Sequence, residues 1–323
     1  MTMTDKKDAS ALSRRGFLTS TGLLLAGSAL ALDHLGDGAA AEPIIDIHQH
    51  TDYMGRTDAQ LIAHQKALGA TTTFLLPAGT PAFGFSTHKG TTNGLQAQCS
   101  GNEACYALAK KHPKAFKFGA NEVPDLPGAT QEIEKYLKLG APLIGESKFG
   151  LECDDPAMQA IYQLAHEYRV PVLMHWQYRM FNYDFHRFHT MLEKYPDVNF
   201  IGHAQTWWAN IDKNHTDQSV LYPKNKVTAG GLTDQLLTKY PNMYGDMSAG
   251  SGLNALLRDE DHARDFLERH QNKLLYGSDC LDADGHGPNC QGAQTIAAIR
   301  KLAPSKMIER KLLYDNATKL FRL

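Results

Sequence analysis

The sequence predicts an α/β chain folded as a single-domain (β/α)8 TIM barrel, and three observations predict it. Eight short apolar stretches alternate with helix-patterned ones along the chain. Together they fill about 250 residues, the usual size of such a barrel. Where the apolar stretches end, metal-capable side chains recur, and the carboxyl ends of the strands are where barrels of this kind keep their sites.

The apolar stretches are residues 44–50, 71–77, 115–121, 142–149, 170–176, 198–204, 242–248 and 273–280. Each is bounded by Gly, Pro or a polar cluster, as strands are. Helical patterns fall at 58–68, 103–111, 130–139, 156–168, 184–195, 232–240, 259–271 and 291–302, the first behind a plausible N-cap at Thr57. Near-continuous apolar strands alternating with helices mean a parallel sheet covered on its faces. A doubly wound open sheet is the runner-up, but no Gly-rich dinucleotide fingerprint follows the first strand. Two connections are long: 79–102, rich in Gly, Thr and Ser, and 205–231, carrying Trp207 and Trp208. Long loops at strand ends are more often functional than accidental.

Residues 1–41 read as an address rather than as part of the barrel, which then spans 42–323. Arg14-Arg15 precedes an apolar run from Phe17 to Leu32, a polar break, and Ala39-Ala40-Ala41 as a small-residue cleavage site. This resembles a twin-arginine export signal. It makes the export machinery a partner and the periplasm, or another exported location, the destination. The run is short for a membrane span, which needs about 20 apolar residues. A net charge of −2 argues against a nucleic-acid footprint. Oligomeric state is left open, a homo-oligomer included.

The first strand reads PIIDIHQH. Alternation puts Asp46, His48 and His50 on one face, and two imidazoles two residues apart at a strand end both reach one cation. Strand four contributes Glu146 and Lys148, strand five His175, strand six His203 and strand eight Asp279. Glu146, His175 and His203 are spaced by about one βα unit each, so groups scattered in sequence converge on one mouth. Imidazoles with carboxylates suit Zn2+, and also Mn2+ or Fe2+. Each group also has an ordinary structural role open to it: a core histidine, a Glu146–Lys148 ion pair, a turn aspartate.

The order of these groups resembles the amidohydrolase superfamily of metal-dependent hydrolases. DIHQH, GESKFG, IGHA and YGSD look most like its amidohydrolase-related branch, and YDNATKLF resembles that branch's closing helix. The resemblance implies that His48, His50 and Asp279 bind a first metal ion. His175 and His203 then bind a second, or His175 joins the first while His203 contacts substrate. At strand four the resemblance favours Glu146 over Lys148 as ligand and leaves one or two ions open. It also makes Asp279 the catalytic proton acceptor.

The chemistry expected is hydrolysis of an amide, ester or lactone carbonyl of a small molecule by metal-activated water. The alternative is non-oxidative decarboxylation of an aromatic or unsaturated acid, a lyase reaction found in the same branch. A binding protein without turnover is the reading from another class. Substrate contacts are expected from Lys148, Tyr178, Arg179, Trp207 and Asp246, with Arg179 able to grip a carboxylate in a two-pronged fork. Five cysteines allow pairs at Cys99–Cys105 and Cys280–Cys290, with Cys153 left over.

Overall fold

The computed structural model describes residues 42–79 and 99–323. The export signal and most of the 79–102 connection lie outside the described residues. All eight expected strands form: β1 Ile44–Gln49, β2 Ala70–Leu75, β3 Phe116–Phe118, β4 Ile144–Ser147, β5 Val172–His175, β6 Phe200–His203, β7 Met243–Asp246 and β8 Leu274–Leu275. They pair in parallel as β1-β2-β3 and β4-β5-β6-β7-β8. Backbone bonds join the two sheets at both junctions. Ala120 pairs with Ile144 between β3 and β4. Ile47 N donates to Tyr276 O at 3.1 Å, and Asp279 N to His48 O at 2.8 Å, between β1 and the segment after β8. The eight strands thus run as a ring.

Helices cover the ring: α1 Asp58–Leu68, α2 Asn102–Lys111, α3 Ala129–Lys138, α4 Pro156–Tyr168, α5 His189–Lys194, α6 Gln205–Ala209, α7 Leu232–Lys239, α8 Ala249–Leu257, α9 Glu260–Arg269, α10 Gln291–Leu302, α11 Lys306–Arg310 and α12 Asn316–Phe321. Their starts follow local chemistry. Thr57 and Gln60 form a reciprocal capping box on α1. Asp155 caps α4, whose first residue is Pro156, where a missing N–H costs nothing. Helices α6 and α8 were not expected. They occupy the strand-end connections after β6 and β7, where sequence patterning is too short to show a period.

The inner cluster of the ring contains Ile45, Ile47, Phe74, Leu76, Leu143, Leu173, Ile201 and Leu275. Ala317 and Phe321 of α12 join it, with the Phe321 ring centred 4.3 Å from that of Phe74. Burying such side chains contributes roughly 1.5–3 kcal/mol each. The larger cluster lies between strands and helices and includes Trp176, Phe188, Phe200 and Trp207.

An ion-pair network ties α7 to the end of α9. Asp234 accepts from His270 at 2.6 Å, from Arg269 at 3.0 Å and from the Gly230 amide at 2.9 Å. Burial opposes ionisation here, but these donors win and hold the carboxyl down at about 2. A carboxyl lowered in the folded state stabilises fully above its unfolded value near 4 and loses that contribution as pH falls through about 2. Asp234→Asn should therefore cost about 2 kcal/mol at neutral pH and almost nothing near pH 2, read from denaturant midpoints across pH.

Candidate metal centre

The carboxyl ends of β1, β4, β5, β6 and the segment after β8 bring six groups together: His48, His50, Glu146, His175, His203 and Asp279. The pairing of β1 with β2 shifts register between Asp46 and Gln49. Irregularities of this kind re-aim side chains. Here β1 gives Ile45 and Ile47 to the inner cluster and still presents both His48 and His50 to the mouth. Asp46, expected beside them, turns instead to Ser278, accepting from its amide at 2.8 Å and its hydroxyl at 2.5 Å.

His48 Nε2 lies 3.4 Å from Glu146 Oε2 and 3.8 Å from Asp279 Oδ1. His50 Nε2 lies 3.4 Å from the same two oxygens. His203 Nε2 lies 3.7 Å from Glu146 Oε1 and from Asp279 Oδ2. His175 Nδ1 is tighter, at 2.5 Å from Glu146 Oε1. His48 Nε2, His50 Nε2 and Asp279 Oδ1 are buried and have no hydrogen-bond partner among the described residues. Buried polar atoms are normally paired, so three unpaired atoms aimed at one point call for an occupant. Two imidazole nitrogens and a carboxylate oxygen are the donors a divalent cation of the zinc–manganese class takes. The residues present therefore fit a metal ion.

The outer partners fix the ligand nitrogens. His48 Nδ1 donates to Asp246 Oδ2 at 2.7 Å, and His50 Nδ1 to the Leu76 carbonyl at 2.7 Å. Each bond leaves Nε2 free to face the centre, the arrangement that orients metal-binding histidines. His203 Nδ1 lies 2.9 Å from Ser248 Oγ, which in turn donates to Asp246 Oδ2 at 2.8 Å. Gly277 is needed at this packing: a Cβ there would meet Asp246 Oδ1 at 2.5 Å and His48 Cβ at 2.8 Å.

Burial and neighbouring charge shift the proton affinities of these groups. Burial pushes the His203 imidazole down to about 4, with the nearby His48 adding to it. Burial would also lower His48, but Asp279, Glu146 and Asp246 lift it to about 10. Burial would raise the Asp279 carboxyl, yet His48 and His50 hold it well below the usual carboxylate range. Asp279 also takes a left-handed backbone conformation, φ +47°. Such geometry in a non-glycine residue is uncommon and clusters at functional sites.

The expected substrate contacts divide. Tyr178 and Arg179 line a cavity of about 210 Å³ with Gln177, Thr206 and Asn210. Gln177 connects it to the centre, since its Oε1 lies 3.2 Å from His175 Nε2. Lys148 is half-buried, its ammonium 5.8 Å from the Phe181 ring. Burial opposes the Glu146 charge, and Lys148 with His48 and His175 outweighs that, keeping the carboxyl well below its ordinary range. Two expectations are corrected. Trp207 does not wall the mouth: it is fully buried, its ring 5.6 Å from Phe185 and 6.4 Å from Trp208. Asp246 does not face substrate: it is fully buried behind His48. Ser248, Ser278 and the Leu76 carbonyl were missed, though Ser248 lies two residues past Asp246 and so on its face.

All five cysteines are buried, and none forms a disulfide among the described residues, so neither expected pair is closed. Cys105 Sγ sits 3.8 Å from Thr51 Oγ1, and Cys280 Sγ 3.5 Å from Cys290 Sγ.

A comparison with curated proteins gives no match. Among solved structures the fold is similar to 5-carboxyvanillate decarboxylase from Sphingomonas paucimobilis, at 14% identity and TM-score 0.56, covering 88% of this chain and 100% of that one. It is similar also to a dihydroxybenzoic acid decarboxylase from Polaromonas with bound manganese and 2-nitroresorcinol, at 15% identity and TM-score 0.53, covering 87% and 97%. A third is a probable 2-pyrone-4,6-dicarboxylic acid hydrolase from Acinetobacter baumannii, at 14% identity and TM-score 0.53, covering 87% and 99%. Likeness at such identities speaks for the fold alone. The family described as Amidohydrolase matches from residue 45 to residue 323, which takes in every strand but the first residue of β1, and the chain therefore belongs to the amidohydrolase family.

Proposed function

We propose that this protein is a metal-dependent hydrolase acting on an amide, ester or lactone carbonyl of a small molecule. The observation that carries the reading is the convergence of unpaired His48 Nε2, His50 Nε2 and Asp279 Oδ1. These three would hold a divalent cation, best suited to Zn2+, with Glu146, His175 and His203 as further candidate ligands. When bound, the ion supplies a Lewis acid and lowers the pKa of a coordinated water. The chain's own residues do the rest. Asp279, 11% exposed at the mouth, takes a proton from the attacking water and returns it to the leaving group. Asp246 and the Leu76 carbonyl keep the two β1 imidazoles in the ligand tautomer. Arg179 places a cation in the cavity lining and Lys148 one near Glu146 and His175, where a substrate carboxylate would pair with them.

The decarboxylase reading is kept because two structurally similar proteins bear that name. Turnover of a lactone, ester, amide and benzoate-type acid panel in isotopically labelled water separates the two. Hydrolysis puts one solvent oxygen into the product acid. Decarboxylation puts one solvent hydrogen on the product carbon and no oxygen. Chelated protein should be inactive in either case and recover with Zn2+ or Mn2+. Turnover that survives exhaustive chelation contradicts both.

Export by the twin-arginine route is part of the same proposal, supported by Arg14-Arg15 and the apolar run after it. Amino-terminal sequencing of the mature protein should find a start near Glu42 in the periplasmic fraction. An intact chain retained in the cytoplasm contradicts it.

A further inference from the structure

We propose a second metal site, built from His64, Cys280, Asp282 and Cys290, that binds a borderline divalent cation of the zinc class and pins the loop after β8 to α1. The four residues offer one donor atom each, all within 4.8 Å of one another. The edges are 3.5 Å between the two sulfurs, 3.6 Å from Cys290 Sγ to His64 Nε2, and 3.2 Å from His64 Nε2 to Asp282 Oδ2. With metal–sulfur bonds of about 2.3 Å and metal–nitrogen or –oxygen bonds of about 2.0–2.1 Å, a tetrahedron has edges of about 3.8, 3.5 and 3.3 Å in the same order. The sulfurs stand well beyond the roughly 2.05 Å of a disulfide.

Both sulfurs accept backbone amides, as bound thiolates do, and Cys280 Sγ also lies 3.7 Å from the Ser278 carbonyl. Gly292 N donates to Cys280 Sγ at 2.9 Å and Ala293 N to Cys290 Sγ at 3.4 Å, both from the first turn of α10. Asp282 Oδ1 accepts from the Asp284 and Gly285 amides at 3.0 and 2.9 Å, which fixes the carboxylate with Oδ2 facing His64 Nε2 at 3.2 Å. The buried guanidinium of Arg56 donates to the Cys280 and Asp282 carbonyls at 3.0 and 2.9 Å. Two thiolates, a carboxylate and a dication sum to one negative charge, which that guanidinium offsets. The loop also comes down hard on α1: a Cβ at Gly285 would lie 2.3 Å from the His64 carbonyl oxygen. Cys280 follows Asp279 directly, so an ion here anchors the segment that carries the Asp279 carboxylate. This site shares no residue with the His48 centre and stands without the hydrolase reading.

The test is cobalt loading of the full chain. Cobalt bound by thiolate gives a near-ultraviolet charge-transfer band, and the six groups of the His48 centre include no sulfur. The wild-type protein should show the band. Cys280→Ser and Cys290→Ser should each abolish it and lose one equivalent of metal, while Cys99→Ser keeps both. Asp282→Asn, on the loop's wetter side, serves where a cysteine variant fails to fold, and should shift the band. A folded wild-type protein that takes up cobalt without the band overturns the proposal. So does a band indifferent to both the Cys290 and the Asp282 substitutions, or a Cys280–Cys290 disulfide in protein prepared with metal present.

Discussion

Asp279→Asn should lower turnover by about 10²–10⁴-fold, the range a positioned proton acceptor supplies. The substitution keeps the shape of the side chain and its φ of +47°, which Asn tolerates as well as Asp. It removes the charge that pairs with His48 and His50 across 3.8 and 3.4 Å. Circular dichroism should keep its wild-type shape while kcat collapses, and the melting midpoint should fall, because buried His48 and His50 lose the carboxylate that pairs with them. The loss should fall on kcat more than on KM, because the group is assigned to proton transfer and not to substrate affinity. A variant with wild-type kcat would remove Asp279 from the chemistry.

His48→Ala should have the largest effect on the apo protein and also empty the centre. Two losses act together. The ligand nitrogen disappears, and Asp246, fully buried, loses the imidazole 2.7 Å away. Breaking a buried pair by removing one partner costs about 3–5 kcal/mol, because the remaining charge stays desolvated. Ser248 still donates to Asp246 through its amide at 3.0 Å and its hydroxyl at 2.8 Å, which places the cost toward the lower end. Adding Asp246→Asn to His48→Ala should recover much of the stability and none of the metal. A double variant no more stable than the single would mean that Asp246 is not the group stranded.

The ring and its mouth were legible because they depend on patterns that sequence carries directly. Apolar runs such as those of β5 and β6 mark buried parallel strands, and a polar residue at the end of each marks the open face. His175 and His203 were found that way, and they pair as neighbours in the β5–β6 register. Depth was not legible. Alternation says which face Asp246 is on but not that His48 comes between it and the mouth. Trp207 follows β6 by few residues, yet the short turn of α6 folds it back under the sheet. The His64 cluster was half visible. Cys280 and Cys290 suggested each other by spacing, whereas His64 meets them only because α1 packs against the loop after β8. No sequence period encodes that contact.

The proposed chemistry needs one point in space shared by the ends of β1, β4, β5, β6 and the segment after β8. Anomalous diffraction from crystals soaked in zinc or manganese locates it directly. The expected result is a metal peak within about 2.0–2.2 Å of His48 Nε2, His50 Nε2 and an Asp279 oxygen. Well-ordered crystals in which the three atoms face each other with no metal between them, at saturating metal, would contradict it.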